Sequence, residues 1–289
     1  RWNMVNDFRP QSIESSGIKS HPTANYVNYY GMQNGYPIND MTKADAESGY
    51  DPTHPWKNRD PRFYKTIMFD GVKWRNTGGA GGTAELFTGG RESEEANEKK
   101  GCFTAYMNSK LCPQLMNTFD GYKENNIMIL SLMRLADVYL MYAEATAVGY
   151  NSPKGKAATY SLTAEEALNK IRERAGVAPV LEKFLGSTAD FLSELRRERA
   201  VELSFEGFRF TDLRRWMLLT QYPYTLKTKI EFDRADPNNY NYDAPEENAI
   251  KNLREVVLIE RKYTDRHYWY PLPKKDVSMY EGFYQNPGW

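Results

Sequence analysis

Paired carboxylates are the first residues in this sequence that could carry chemistry. A glycoside hydrolase needs two carboxyl groups that face each other across a sugar at a set distance. The candidates near the middle of the chain are Asp120, Glu124, Asp137 and Glu144. Asp137 and Glu144 belong to one predicted helix, where we expect them to pair with neighbouring arginines. We therefore predict a non-catalytic protein, with a fragment of a helical glycoside hydrolase as the alternative.

Histidine and cysteine give no better support for catalysis. The three histidines, His21, His54 and His267, lack the spacing of zinc ligands, and the sequence contains no Cys-x-x-Cys. It also contains no Gly-x-Ser-x-Gly nucleophile elbow. We therefore predict neither zinc nor serine chemistry.

The segment 233–247 is rich in oxygen ligands. Calcium accepts carboxylates and amides flexibly, but this segment lacks the spacing of an EF-hand loop. We predict a solvated loop and no cofactor, with bound calcium as the alternative. The residues that could supply ligands are Asp233, Asp236, Asn238, Asn239, Asn241, Asp243, Glu246 and Glu247.

Aromatic side chains are the more promising binding residues, since they make up 14% of the chain. Loops carry binding function more often than the elements that they connect. A pyranose ring can stack its C–H face on an aromatic ring, beside polar groups that bind its hydroxyls. We predict ligand contacts at Trp74, Trp56, Tyr30, Arg75 and Asn76, which lie in turn-rich segments. Flat rings stack on sugars, bases and other rings alike, so the aromatic content alone does not select the ligand, and a glycan is what the family resemblance described below implies. The alternative is that these rings only fasten long loops to the helices.

Charge and hydropathy narrow the class of partner. The chain has 38 basic and 38 acidic residues, so it has no general field that would attract nucleic acid or an anionic membrane. The longest apolar stretch, 127–147, contains Arg134, Asp137 and Glu144, so we expect a core helix there rather than a membrane span. The sequence opens at Arg1, so we expect a mature, trimmed or partial chain.

The elements that must position these residues are mainly helices. Apolar residues at three- and four-residue spacing predict a helix over the stretch 127–147. Thr163 and Glu166 form a capping-box pattern, and the helix that it opens should end at Gly176. Strands are predicted at Tyr64–Phe69, before an Asp70-Gly71 turn, and at Glu255–Ile259. The apolar face of the first helix would comprise Met128, Leu132, Leu135, Tyr139, Tyr142 and Ala143.

Two further helices are predicted on either side of Gly207. In the first, about 189–205, alternating Arg and Glu residues favour ion pairs at i,i+4 along the helix. In the second, Phe210, Leu213, Trp216 and Met217 would form the inner face. We assign Trp216 and Trp269 to the core.

Four segments in this order resemble the SusD/RagB family. They are NRDPRFY at 58–64, MRLADVYLMYAEA at 133–145, RERAVELSFEGFRFTDLRRW at 197–216, and YPLP at 270–273 with QNPGW at 285–289. The third segment is specific by itself, and the resemblance spans essentially the whole chain. The family is usually about twice this length, so its amino-terminal half, with the anchoring cysteine, is expected to lie outside this sequence.

The resemblance implies both a fold and a function. The fold is mostly α, a SusD-like scaffold of tetratricopeptide type with long loops and little β-structure. The function is capture of a glycan or other nutrient for a TonB-dependent, SusC-like transporter. Members of the family are lipid-anchored on the outer face of the outer membrane of Bacteroidetes-type bacteria. A structural scaffold without a small-molecule ligand is a third alternative.

Within residues 1–289 we distinguish three parts. Residues 1–123 form a loop-rich part that would face the ligand, residues 124–222 a helical core, and residues 223–289 a loop, a strand and a closing tail. Because the implied location is oxidising, Cys102 and Cys112 are predicted to form a disulfide, with two inert thiols as the alternative.

Overall fold

The structure is a computed structural model of the 289-residue chain. It describes residues 21–38, 45–76, 82–96, 101–110, 120 and 131–289. The α-helices in these residues are α1 (Ala24–Val27), α2 (Pro61–Thr66), α3 (Leu135–Gly149), α4 (Ala164–Ala175), α5 (Thr188–Glu202), α6 (Phe208–Arg215) and α7 (Lys274–Met279). The strands form two antiparallel pairs, β1 (Ile67–Met68) with β2 (Met107–Asn108) and β3 (Leu226–Arg234) with β4 (Ile250–Glu260). The fold is therefore mostly helical, with minor sheets.

Helices α3, α4 and α5 share one hydrophobic core. Leu140 and Ala143 of α3 pack with Leu168 and Ile171 of α4 and with Leu195 of α5. The three-residue spacing within α3 and within α4 places each pair on one face of its helix. Burial of these faces holds the three helices together, because a helix of this length gains most of its stability from packing.

The ends of α4 follow the predicted signals. The Thr163 hydroxyl accepts a hydrogen bond from the Glu166 amide over 3.2 Å, and the Glu166 carboxylate accepts one from the Thr163 amide over 2.7 Å. Gly176 ends the helix in the left-handed conformation, with φ 73°. The capping box and the glycine cap are thus confirmed.

A second hydrophobic core lies under the loops of the amino-terminal part. Its fully buried rings include those of Tyr30, Trp56, Phe63, Phe69 and Phe232. The Trp56 ring centroid is 4.9 Å from that of Phe69 and 5.2 Å from that of Phe232, distances at which aromatic pairs attract each other. Strand β3 supplies Phe232, so the loops and the hairpin share one core.

The hairpin of β3 and β4 has one buried and one outer face. Side chains at alternate positions of β3, such as Ile230 and Phe232, point into the loop core. Lys227 of β3 lies opposite Ile259 of β4 on the outer face. The predicted strand at Glu255–Ile259 is confirmed, because it lies within β4.

Ion pairs connect α5 to the elements around it. Glu198 accepts a hydrogen bond from Arg172 of α4 over 2.9 Å, and Arg199 donates to Asp212 of α6 over 2.7 Å. For Glu198 and Arg199, the predicted i,i+4 pairing along the helix is wrong. The partners of α5 on other elements are Arg62, Arg134, Asp137, Arg172, Arg174 and Asp212.

The first half of the strand predicted at Tyr64–Phe69 is helical, because residues 64–66 belong to α2. The Asp60 side chain caps α2 by accepting from the Arg62 amide over 2.9 Å, and Pro61 occupies the first turn, which suits its fixed φ. These start signals outweigh the β-forming side chains, and only Ile67–Met68 is a strand. The Asp70-Gly71 turn is confirmed, with Gly71 at φ 83°.

Two predicted core faces are more exposed than expected. Leu213 of α6 is buried, but Phe210 of the same helix and Met217, just after its end, are exposed. Trp216 is half-buried, and its indole N–H donates to Glu144 over 2.7 Å, which is how a partly buried indole satisfies its donor. Trp269 is 55% exposed, so its assignment to the core is wrong.

The apolar face predicted for α3 is also only partly buried. Ala143 is buried, Tyr139 and Tyr142 pack against the helical core, and Leu132 and Leu135 are exposed. The helix begins at Leu135, so the prediction is wrong for residues 131–134, which are not helical, and its predicted start near 127 lies outside the described residues. None of the helices in the described part of the chain is long and apolar enough to cross a membrane.

The disulfide predicted between Cys102 and Cys112 is not present in the structure. Cys102 is a free, buried thiol whose sulfur donates to the Tyr106 carbonyl over 3.1 Å. Burial raises the pKa of this thiol. Cys112 itself lies outside the described residues.

Candidate functional site

Two of the five predicted glycan contacts lie inside the loop core. Trp56 and Tyr30 are both 0% exposed. The Trp56 indole N–H donates to the Tyr106 hydroxyl over 3.3 Å, and the Tyr30 hydroxyl donates to the Ser204 hydroxyl over 2.7 Å. A ring that is covered on both faces cannot stack on a sugar, so the structure corrects these two predictions: both rings fasten loops to the scaffold.

The other three predicted contacts form a partly exposed corner. Trp74 is 7% exposed, and the Arg75 guanidinium lies 4.8 Å from its ring centroid, so it covers part of the indole. Asn76 is exposed, and its main-chain N–H donates to the Asp120 carboxylate over 3.1 Å. The structure therefore brings these three residues together, with only Arg75 and Asn76 presenting appreciable surface.

Arg59 holds the loops around this core. Its buried guanidinium donates to the main-chain carbonyls of Tyr30 over 2.8 Å, Pro55 over 2.9 Å and Val27 over 3.1 Å. Buried carbonyls need hydrogen-bond donors, and Arg59 supplies one to each of these three. One side chain thus joins the segment after α1 to the segment before α2.

An amide-lined cavity opens beside these joined segments. Its volume is about 410 Å³, within the range of about 300–1,000 Å³ that ligand sites occupy. Its walls consist of Met32, Gln33, Asn34, Ser48, Gly49 and Asn58. We call it the amide cavity, because three of these six residues carry side-chain amides.

Hydrogen bonds to main-chain carbonyls fix the walls of the amide cavity. The main-chain N–H of Gln33 donates to the main-chain carbonyl of Asn58 over 3.0 Å, and the side-chain amide of Asn34 donates to the main-chain carbonyl of Ser48 over 3.0 Å. Gly35 has φ 88°, which lets the chain turn sharply after Asn34. The three wall segments are therefore joined to one another before any ligand arrives.

The chemistry of this wall suits hydroxyl groups. Gln33, Asn34 and Asn58 are exposed, and each amide can both donate and accept hydrogen bonds, as a sugar hydroxyl can. Met32 also lines the cavity, but its side chain is almost fully buried. None of the six described wall residues is Asp or Glu, so the wall can bind an uncharged polyol but supplies no acid/base pair.

The carboxylates considered for hydrolysis are occupied elsewhere. Asp137 pairs with Arg199, and Glu144 accepts from Arg215 and Trp216, so the predicted pairing with arginines is confirmed. Burial alone would raise the pKa of Glu144, but these two donors outweigh it and hold the pKa below its ordinary value. A general acid needs the opposite shift.

Asp120 and Glu124 complete that set of carboxylates. Asp120 is buried, and both of its carboxylate oxygens lie 3.1 Å from the main-chain nitrogen of Asn76. Glu124 lies outside the described residues.

Side-chain oxygens of the segment 233–247 accept hydrogen bonds from main-chain N–H groups of the same segment. Asp236 accepts from the amides of Asn238 and Asn239, and Asn241 accepts from those of Asp243 and Ala244. Across the described ranges, no group of three or more His, Cys, Asp or Glu side chains is placed to hold a metal ion. These bonds are typical of Asx turns in a solvated loop.

Sequence reasoning missed the residues of the amide cavity. A signal was present, because Asn34-Gly35 is a turn pair and Asn58 opens the segment that resembles the family. An amide in a turn has many uses, however, and the contact between the segments of Gln33 and Asn58 could not be read from the sequence.

Comparison with known proteins gives the chain its relatives. A model described as the SusD family matches residues 3–289. A solved SusD-like protein from Bacteroides fragilis NCTC 9343 has 21% identity and a TM-score of 0.70, with 99% of this chain covering 51% of that one. A solved SusD-like carbohydrate binding protein from the same organism has 20% identity and a TM-score of 0.59, with 89% of this chain covering 46% of that one.

At these identities, the two structures show a shared fold. The chain spans about half the length of these solved relatives. A search of curated proteins finds no match.

Proposed function

Because this chain belongs to the SusD family, we propose that it binds a glycan without catalysis and that the amide cavity is part of its binding site. The observation that carries the proposal is the wall of the cavity, which presents three side-chain amides and no carboxylate. Binding and hydrolysis place different demands on a site, because hydrolysis needs two carboxyl groups facing each other. This wall meets only the demand of binding.

The rigidity of the wall supports the same proposal. A site that is ordered before binding loses less conformational entropy when a ligand arrives, and so it gains affinity. The hydrogen bonds between the segments of Gln33 and Asn58 and between Asn34 and Ser48 provide that order. A structural scaffold without a ligand would not need exposed amides held around a cavity.

Arg75 and Asn76 are kept as secondary glycan contacts in this proposal. Both retain exposed surface, and a guanidinium and an amide can each bind ring hydroxyls. Trp74 would support them by holding the Arg75 guanidinium against its ring. Trp56 and Tyr30 are not part of the proposed site, since both are fully buried.

The cellular role that we propose is delivery of the bound glycan to a TonB-dependent, SusC-like transporter. The protein would be lipid-anchored on the outer face of the outer membrane. The resemblance to the SusD/RagB family supports this role, and one of the solved relatives is described as a carbohydrate binding protein. Because this chain spans about half of that relative, anchor and transporter contacts are proposals for the whole protein.

A glycan array followed by calorimetry tests the site. We expect Gln33→Ala to weaken binding of the best array ligand by about tenfold, the effect of losing one or two hydrogen bonds. Asn58→Gly should have a similar effect, since glycine tolerates the φ of 54° found at this position. Gln221→Ala, at an exposed glutamine elsewhere, is the matched control. Wild-type affinity in both cavity variants would exclude this cavity as the site.

A further inference from the structure

Three cationic side chains meet at one end of the β3–β4 hairpin. Lys227 and Arg261 lie on the same face of the ribbon, since Lys227 is opposite Ile259 and the Arg261 amide donates to the Thr225 carbonyl over 2.9 Å. Diagonal neighbours of this kind are separated by about 7–8 Å, within reach of two long side chains. We call this site, completed by Arg209 of α6, the cationic corner.

Arg209 reaches the cationic corner through two tyrosines. Its guanidinium carbon is 4.7 Å from the centroid of the Tyr29 ring and 5.6 Å from that of Tyr224, which precedes β3. One of its nitrogens donates to the Tyr29 hydroxyl over 2.7 Å. These contacts fix the guanidinium beside the start of the strand that carries Lys227.

None of the three cations has an ion-pair partner among the described residues. Lys229, two positions along the same face, provides the contrast, because its ammonium lies 3.2 Å from a Glu94 oxygen and 2.8 Å from a Glu231 oxygen. The cationic corner thus concentrates positive charge, whereas Glu94 and Glu231 neutralise Lys229.

One buried donor at the corner also lacks a partner. Arg209 Nη1 is buried and has no hydrogen-bond acceptor in the described part of the protein. A buried donor without an acceptor destabilises the protein. An anionic oxygen would accept from this donor and neutralise the cations around it.

The protonation of Lys227 reflects the same surroundings. Burial, and then the charges of Arg261 and Arg209, lower the pKa of Lys227 to about 8. By contrast, hydrogen bonds to Glu231 and Glu94 outweigh the effect of burial on Lys229 and raise its pKa. A bound anion would favour the protonated form of Lys227, because its negative charge would offset the two neighbouring positive charges.

We infer that Arg209, Lys227 and Arg261 form a binding site for an anionic oxygen group, the carboxylate of a uronic acid or the sulfate ester of a sulfated sugar. Arginine binds either group through planar pairs of N–H donors, and lysine adds a compact charge. The rings of Tyr29 and Tyr224 border the site and give it an apolar rim. That the anionic group belongs to a sugar rests on the proposed function. That the site binds an anionic group rests on the three cations alone.

Calorimetric titration with glucuronate, glucose 6-sulfate and neutral glucose tests the inference. We expect at least one anionic sugar to bind and glucose not to bind at this site. Binding of glucuronate alone would identify a carboxylate site, and binding of glucose 6-sulfate alone would identify a sulfate site. Binding of both would identify a site that accepts either group. Failure of both anions, or equal binding of glucose, would overturn the inference.

Variants locate the binding. Lys227→Met keeps the apolar stem, and Arg261→Gln changes an exposed side chain that contacts Tyr263, two residues away. We expect each variant to weaken anion binding, Lys227→Met by about tenfold or more. Lys251→Met, at the far end of the same hairpin, should leave it unchanged. Undiminished anion binding in both Lys227→Met and Arg261→Gln would overturn the inference. Binding of a neutral glycan by the amide-cavity variants tests only the proposed function.

Discussion

Arg172 Nε donates to Glu198 Oε2 over 2.9 Å, and both side chains are almost fully buried between α4 and α5. Glu198 also accepts from Arg62 of α2, which belongs to the loop-rich part of the chain. One carboxylate therefore joins the helical core to the segments that carry the amide cavity. Within the family-like run 197–216, Glu198 therefore has an architectural role.

Removing this carboxylate should destabilise the whole protein. Glu198→Gln would leave the charges of Arg62 and Arg172 without one of their buried partners, and breaking a buried pair costs about 3–5 kcal/mol. Chemical denaturation should show the loss. Glu173→Gln, at an exposed glutamate on α4, is the control and should change stability by less than about 0.5 kcal/mol. Equal stability of the two variants would contradict the role given to Glu198.

The same carboxylate predicts how stability depends on pH. Burial would raise the pKa of Glu198, but the charges of Arg62 and Arg172 outweigh it and lower the pKa to about 2 from an ordinary value of 4.5. Glu198 therefore stabilises the folded state above about pH 4.5, and this contribution is lost as the pH falls towards about 2. Between these values, the free energy of unfolding should fall less steeply with decreasing pH in Glu198→Gln than in the wild type. Parallel curves would contradict this prediction.

Two tryptophans should respond differently to truncation. Trp56 is fully buried among Phe69 and Phe232, so Trp56→Ala should lower the free energy of unfolding by about 3–5 kcal/mol. Trp269 is 55% exposed, and Trp269→Ala should cost much less. Denaturant titration of both variants measures the difference. A Trp56→Ala variant of unaltered stability but weaker glycan binding would restore Trp56 to the ligand site.

Anion binding at the cationic corner should weaken at alkaline pH. The pKa of Lys227 is lowered to about 8, so its ammonium loses its proton as the pH rises through that value. The neighbouring arginines keep their charge, and burial raises the pKa of Tyr29. Affinity for the anionic sugar should therefore fall between about pH 7 and 9, and Lys227→Met should remove this dependence. A profile that is identical in wild type and variant would assign the titration to another group.

Cys102 should resist modification in the native protein. Its sulfur is buried and its pKa is raised, and the thiolate is the reactive form. Alkylation followed by peptide mass spectrometry should label Cys102 only after denaturation. Rapid labelling under native conditions would show that the segment opens, and a peptide linked to Cys112 would restore the disulfide.

Local signals in the sequence predicted the elements well. Thr163, Glu166 and Gly176 determine the ends of α4 through hydrogen bonds within a few residues. The helix of Pro61–Thr66 was missed because the β-forming side chains after Asp60 and Pro61 outweighed those two start signals in the prediction. Both signals are local, so the error was one of weighting.

The site was harder to predict because its determinants are distant in sequence. Nothing near Trp56 shows that Phe232 of the hairpin covers its ring. In the same way, the carbonyls that bind Arg59 belong to Tyr30, far from it along the chain, as well as to nearby Pro55. Which loop aromatics are buried, and which loop amides line a cavity, depends on these tertiary contacts.

We propose that this chain captures a glycan and leaves it intact. The most direct measurement incubates the protein with its best array ligand, determines affinity by calorimetry, and follows the ligand by chromatography for many hours. We predict saturable binding that Gln33→Ala weakens and Gln221→Ala does not, with all of the ligand recovered at its original length. Shortened products that disappear on substitution of a single Asp or Glu would contradict the account.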